Sequence, residues 1–161
     1  MKISISKLAS ICSIFLAACA SEYSAKGMFN GYSDVRLGEN IFRVSFQGDG
    51  YDNRERVTDL SLLRSAEVAI EHGFSYFVIA NVADNSTSAF YTTPQTTQTN
   101  ATISGNTVSG NSTTYGGQTF LITYPNTTNT IYCFKDKPQI NGLVYEARYV
   151  VSSIKAKYQI K

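Results

Sequence analysis

The chain has 161 residues, with 14 lysines and arginines, 12 acids and one histidine, for a formal charge of +2. That length suits one domain of ordinary size, and so small a net charge gives no general attraction for nucleic acid or anionic lipid. Three cysteines and a single histidine leave little material for a zinc site or for a nucleophile with its base.

The first twenty residues read as an address. Lys2 and Lys7 precede a run from Leu8 to Ala18 that is apolar or small apart from Ser10 and Ser13. A basic start before so short an apolar stretch fits a secretory signal, whereas a membrane span needs about twenty apolar residues. Leu16-Ala17-Ala18-Cys19 then resembles the lipobox of bacterial lipoproteins. The resemblance implies cleavage between Ala18 and Cys19, a diacylglyceryl thioether on Cys19 and, in many bacteria, an acyl chain on the new amino group. Such chains would hold Cys19 in the lipid bilayer, since each buried CH₂ contributes ~0.8 kcal/mol. Ala20, rather than aspartate, after the cysteine implies sorting to the outer membrane, facing the periplasm. Ala18-Cys19-Ala20 is also a small-x-small site, so ordinary cleavage after Ala20 with release of a soluble protein is the competing expectation.

Cleavage after Ala18 removes Lys2, Lys7 and Cys12 and leaves twelve bases and twelve acids. Cys133 is then the unmodified cysteine, and no internal disulfide can form. Its neighbours Ile131, Tyr132 and Phe134 predict a buried, inert thiol. Residues 19–40 are expected to be a flexible tether, and residues 41–161 the folded domain.

Within that domain, Ile41 to Gln47 alternates, with Phe42, Val44 and Phe46 on one face, which predicts a strand with one buried side. After Gly48-Asp49-Gly50, Asp52 and Glu55 form an expected capping box. Val57, Leu60, Leu63, Ala66, Ala69 and Ile70 then recur at helical spacing, while Arg54, Arg56, Asp59, Arg64, Glu67 and Glu71 supply polar surface. Gly73 ends this helix, with His72 at the negative end of its dipole. Phe74 to Ala80 carries almost no polar residue and is expected to be a strand covered on both faces. Strand, helix and strand in this order indicate a crossover unit.

No charged side chain lies between Asp84 and Lys135. Inside that interval, Tyr91 to Thr119 is mainly Thr, Ser, Asn, Gln and Gly, and residues 85–118 read as a low-complexity insertion. A tract with so little apolar material is expected to be a mobile loop or loose hairpin. Its hydroxyls and amides, with Tyr91 and Tyr115, offer contact to glycan or an added strand for a partner's sheet. Thr119 to Tyr124 and Thr130 to Phe134 predict two short strands joined as a hairpin through Pro125 to Asn129. Val144, Ala147, Val151, Ile154 and Tyr158 complete the domain as one helical stripe. The expected fold is a small α+β domain of order β-α-β, insertion, β-β-α.

The block GYSDVRLGENIFRVSFQGDGYDNRERVTDLSLLRSAEVAIEHGFSYFVI, Gly31 to Ile79, resembles a family of short bacterial lipoproteins of no established function. The resemblance implies an envelope lipoprotein and brings no catalytic residue with it.

The residues themselves offer little chemistry. His72 is the one histidine, so a Ser-His-Asp or Cys-His arrangement would have to use it. Its place before a helix-ending glycine is explained by charge and dipole. The turn from Phe46 to Tyr51 lies where phosphates often bind, but Asp49, Asp52 and Glu55 would repel an anion. Those acids could take calcium, yet their spacing is not that of an EF-hand. No metal, no cofactor and no catalytic residue is expected. The expected function is that of a non-enzymatic envelope lipoprotein anchored through Cys19. The alternatives are an accessory subunit of an envelope or secretion assembly, with the insertion as its contact arm, and a small periplasmic enzyme.

Overall fold

A computed structural model describes residues 22–161. The Leu16 to Cys19 motif and the cleavage point lie outside the described residues. The chain runs β1 (Gly31–Arg36), β2 (Ile41–Gln47), α1 (Arg54–Glu71), β3 (Tyr76–Asp84), β4 (Thr87–Thr92), β5 (Thr96–Ser104), β6 (Thr107–Tyr115), β7 (Thr119–Tyr124), β8 (Asn126–Phe134), β9 (Tyr145–Glu146) and α2 (Ala147–Tyr158). It divides into two compact units. One is the α+β domain, made of the described residues up to Thr87 with Tyr124–Lys161. The other is Ser88–Thr123, here called the arm.

In the domain, five strands form one sheet in the order β1-β2-β8-β3-β9, antiparallel at every pairing. Antiparallel pairing of both β2 and β3 with β8 makes β2 and β3 parallel to each other, with β8 between them. The expected crossover is therefore present but split by a strand that arrives much later in the chain. Phe42, Val44 and Phe46 of β2, Phe77 of β3 and Ile131 and Cys133 of β8 form one core with Leu60 and Leu63 of α1 and Ile154 of α2. The alternation expected for β2 is seen residue by residue.

Helix α1 buries side chains around most of its axis, Val57, Leu60, Leu63, Ala66 and Ala69 among them, together with Ser61, Ser65 and Val68. The charges expected on its polar surface clamp it to its neighbours. Lys157 Nζ of α2 lies 2.7 Å from Asp59 and 2.6 Å from Glu55, Lys155 lies 3.2 Å from Glu67, and the Tyr158 hydroxyl donates to Asp59 at 2.8 Å. The helix begins one residue later than the expected capping box. Asn53, not Asp52, is the cap, and its Oδ1 accepts from the Arg56 N–H at 2.8 Å. Asp52 is instead buried in the turn before the helix, where it accepts from Asp49 N–H and pairs with Arg56 at 3.2 Å. Packing of this turn against Val57 takes Asp52 out of reach of the cap position; a Cβ on Gly48 would sit 2.6 Å from Val57 Cγ2 and 2.9 Å from Asp52.

Three further expectations are corrected. β3 is not covered on both faces: Phe77 is buried, while Tyr76, Val78 and Ile79 are half-buried and its far end is exposed. Both helices pack on the face that carries Phe77, so apolar continuity here reflects β propensity as well as burial. Of the segment expected as a tether, 19–40, the described residues 22–40 are built into the domain over much of their length. β1 forms an edge of the sheet, and the Tyr23 ring stacks on Phe46 and lies tilted against Tyr32. Finally, Thr119 to Tyr124 and Thr130 to Phe134 do not form a hairpin. Pro125 separates β7, which pairs with β4, from β8, which begins at Asn126 and joins the sheet.

The arm is β structure rather than a mobile loop. β4 pairs with β7, with hydroxyl contacts between Ser88 and Thr123 at 3.1 Å and between Thr92 and Thr119 at 2.9 Å. β5 and β6 pair in an unbroken antiparallel register from Thr96↔Tyr115 to Ser104↔Thr107. Gly105 and Asn106 make the turn, and Gly105 has φ 62°, the sign a type II′ turn requires at its first residue. Thr-rich strands suit a pleated, solvated surface, and a Gly-led two-residue turn matches their twist. Neither feature needs a core.

Candidate functional site

Within the domain, each residue weighed for chemistry is held by its neighbours. His72 caps α1, with Nδ1 donating to the Val68 carbonyl at 2.9 Å and its ring 4.5 Å from that of Phe42. Cys133 faces the core with no exposed surface, and burial pushes its thiol pKa up to about 12. A thiol so far from ionisation is a poor nucleophile at neutral pH. Asp49 closes the turn before α1, its Oδ1 accepting from the N–H groups of Tyr51 and Asp52 at 2.8 and 3.2 Å. Glu55 is paired with Lys157. Among the described residues, no three His, Cys, Asp or Glu side chains gather as a metal site would require.

An open cleft of about 420 Å³ lies between α1, α2 and β1, lined in part by Tyr23, Tyr32, Arg64, Glu67 and Lys155. Its polar groups satisfy one another. Arg64 reaches Asp34 at 2.9 Å and Glu71 at 2.7 and 3.1 Å, and lies over the Tyr32 ring at 4.5 Å. Tyr23 donates to Glu67, and burial, followed by that hydrogen bond, raises its phenol well above the usual range. The network ties the start of the described chain to both helices, which is a structural task. A second buried polar set, missed from sequence, joins α1 to β8. Asn129 Nδ2 donates to Ser61 Oγ at 3.0 Å and lies 3.4 Å from Ser65 Oγ, and Ser61 Oγ donates to the Thr127 carbonyl at 3.3 Å. The signal available in sequence was Ser61 and Ser65 at (i, i+4) among buried positions.

The arm differs in kind. Every residue of β4, β5 and β6 is exposed, and the tract from Asn85 to Phe134 carries no charge. Thr97 and Thr114 lie opposite one another with hydroxyls 3.1 Å apart, and Thr99 and Ser112 do the same at 3.3 Å. Such close side-chain pairs mark the non-hydrogen-bonded positions of an antiparallel ladder. Thr97, Thr99, Ala101 and Ile103 of β5, and Val108, Gly110, Ser112 and Thr114 of β6, therefore turn their backbone N–H and C=O groups outward. Large apolar side chains stand in water on the same unit: Phe90 is 79% exposed, Ile103 74% and Val108 68%. A charge-free double edge with apolar residues along it can accept another strand. Sequence reasoning found the tract but not its order; the signal was Gly105-Asn106 between two Thr-rich runs of equal length.

No protein family, curated protein or solved structure matches this chain. Among the described residues, no helix is long and apolar enough to cross a membrane.

Proposed function

We propose that this chain is a bacterial envelope lipoprotein that works by contact rather than catalysis, held at the outer membrane through a lipidated Cys19. The observation that carries the reading is the ordered signal at the start of the sequence: two lysines, a short apolar run and Leu16-Ala17-Ala18-Cys19. A folded domain beginning within a few residues of that cysteine is compatible with it, since Tyr23 is already packed on Phe46. Two or three acyl chains give stable anchoring where one gives only marginal binding. Changing Cys19→Ser should abolish incorporation of labelled fatty acid and leave an unprocessed precursor. Unchanged labelling would overturn the anchor.

The second reading, an accessory subunit of an envelope assembly, is favoured by the arm. The 36 residues Ser88–Thr123 are uncharged, almost all exposed and largely paired strand; they add nothing to the domain's core and present open strand edges. Cross-linking of the intact protein in the envelope, with and without Ser88–Thr123, tests it; adducts independent of the arm would refute the contact role.

A further inference from the structure

Two of the domain's large apolar side chains stand side by side in water just before β1. Residues 26–30 read Lys26-Gly27-Met28-Phe29-Asn30, and there Met28 is 86% exposed and Phe29 72%. The turn they form is closed rather than loose. Lys26 N–H donates to the Tyr32 carbonyl at 2.7 Å, Tyr32 N–H to the Ser24 carbonyl at 2.9 Å and Gly27 N–H to the Asn30 carbonyl at 2.9 Å. Gly31, at φ 113°, permits this close approach, since a Cβ there would sit 2.7 Å from the Ser24 carbonyl oxygen. The backbone groups paired inside the turn need no water, so the turn can enter a drier medium without stripping them. One exposed apolar residue is ordinary on a protein surface; an adjacent pair held out by a closed turn is a contact surface in search of an apolar phase.

We infer that residues 26–30 are a second membrane contact, with Met28 and Phe29 entering the headgroup region of the bilayer that holds Cys19. The inference deepens the lipoprotein reading and rests on it. Only Ala20, Ser21 and Glu22 separate Cys19 from Tyr23, so the two lie at most about 14 Å apart even along a fully extended chain. Tyr23 is fixed to the domain by its ring on Phe46 and by its hydroxyl, which donates to Glu67. Ser24 and the bridge between Ala25 and Tyr32 lead from there directly into the turn. An acylated Cys19 therefore keeps this turn close to lipid at all times, whereas a protein partner would have to enter the same narrow gap. The charge also fits. From Tyr23 to Ser33 the one charged side chain is Lys26, whose stem suits the interface while its ammonium meets headgroup phosphates. Tyr51 is 87% exposed but stands between Asp49 and Asp52, which those phosphates would repel. Anchor and turn together fix which side of the domain faces the membrane.

The processed chain leaves a single position open to thiol labelling once a cysteine is introduced, because Cys12 departs with the signal, Cys19 is acylated and Cys133 is buried. A fluorophore attached at Met28→Cys reports on the turn. One attached at Glu39→Cys, in the connection at the far end of β1, is the control. The full chain, with its uptake of labelled fatty acid measured, is reconstituted into vesicles of phosphatidylcholine and phosphatidylglycerol. Nitroxide-bearing lipids should quench the probe at position 28 and spare the one at position 39. Adding Phe29→Asp should lower the ratio of docked to undocked turn about tenfold or more. The unfolding midpoint should stay in place, since the side chain is exposed. Equal quenching at the two positions, or quenching that Phe29→Asp leaves intact, overturns the membrane contact, while an acylated Cys19 keeps the anchor standing. Shielding at position 28 in isolated envelopes but not in pure lipid vesicles identifies a protein as the occupant and overturns it likewise. A chain that takes up no fatty acid overturns the anchor and the turn's contact together.

Discussion

In the domain, β2 sends Phe42, Val44 and Phe46 into a core shared with two helices, and its polar residues face away. In the arm, β5 has the same strand geometry and buries none of its nine residues. The domain is thus ordered by what it removes from water; the arm is ordered by local β propensity, a matched turn and its ladder of hydrogen bonds. Strand formation does not by itself imply a core. A strand without one keeps its edges and side chains available, which is a cost to stability and an opening for recognition.

The contrast can be broken most forcefully in the core. Leu63 is fully buried in α1, and Leu63→Ala should destabilise the domain by ~2–5 kcal/mol. Ile103→Ala, at a residue 74% exposed in the arm, should change it by less than about 0.5 kcal/mol. Chemical denaturation of both variants checks the pair; equal losses would abolish the distinction between the units.

A smaller loss is expected where the core is polar. Asn129→Ala removes the donor that reaches Ser61 and Ser65, and the expected cost is ~1–3 kcal/mol. Urea titration should show it, and a neutral result would mean that the serine hydroxyls find replacement partners on α1.

A small effect is also expected for removal of the arm as a whole. The chain ends that flank it are already held together, since Asn85 N–H donates to the Asn126 carbonyl at 2.9 Å. Replacing Ser88–Thr123 by a short Gly/Ser link should therefore move domain stability by less than about 1 kcal/mol, because loop-closure entropy grows slowly with length. A collapsed unfolding midpoint would show that the arm supports the domain after all.

Much of the domain was legible in advance. The period-two pattern of Ile41–Gln47 and the helical recurrence from Val57 to Ala69 reflect burial along one continuous segment, so neighbouring residues report it together. The α2 stripe, with Ala147 and Ile154 buried and Val151 and Tyr158 partly so, was legible for the same reason, although Val144, expected as its first residue, lies before β9 and outside the helix. The cap was misread by one residue, because Asp52 and Asn53 are both good caps and only the packing of the turn against Val57 selects between them. Pro125 was read as part of a hairpin turn, since nothing local says that β7 and β8 part there to join different sheets. As for the candidate sites, the proposed anchor at Cys19 rests wholly on sequence. The arm was visible there as an uncharged insertion, expected as a mobile loop or loose hairpin, but the extent and register of its pairing were not.

The sequence by itself determined which segments could be strands and helices, that the fold is α+β, and where charge and apolar bulk are absent. These follow from propensity and periodicity, which act over a few residues. Only the tertiary structure decided that β8 lies between β2 and β3, that Tyr23 and β1 belong to the domain, and that the uncharged tract stands as paired strands with open edges. Those outcomes depend on contacts between residues distant in the chain, such as Phe77↔Cys133 and Val44↔Asn129. Their free energy depends on which surfaces meet, and no local pattern records it.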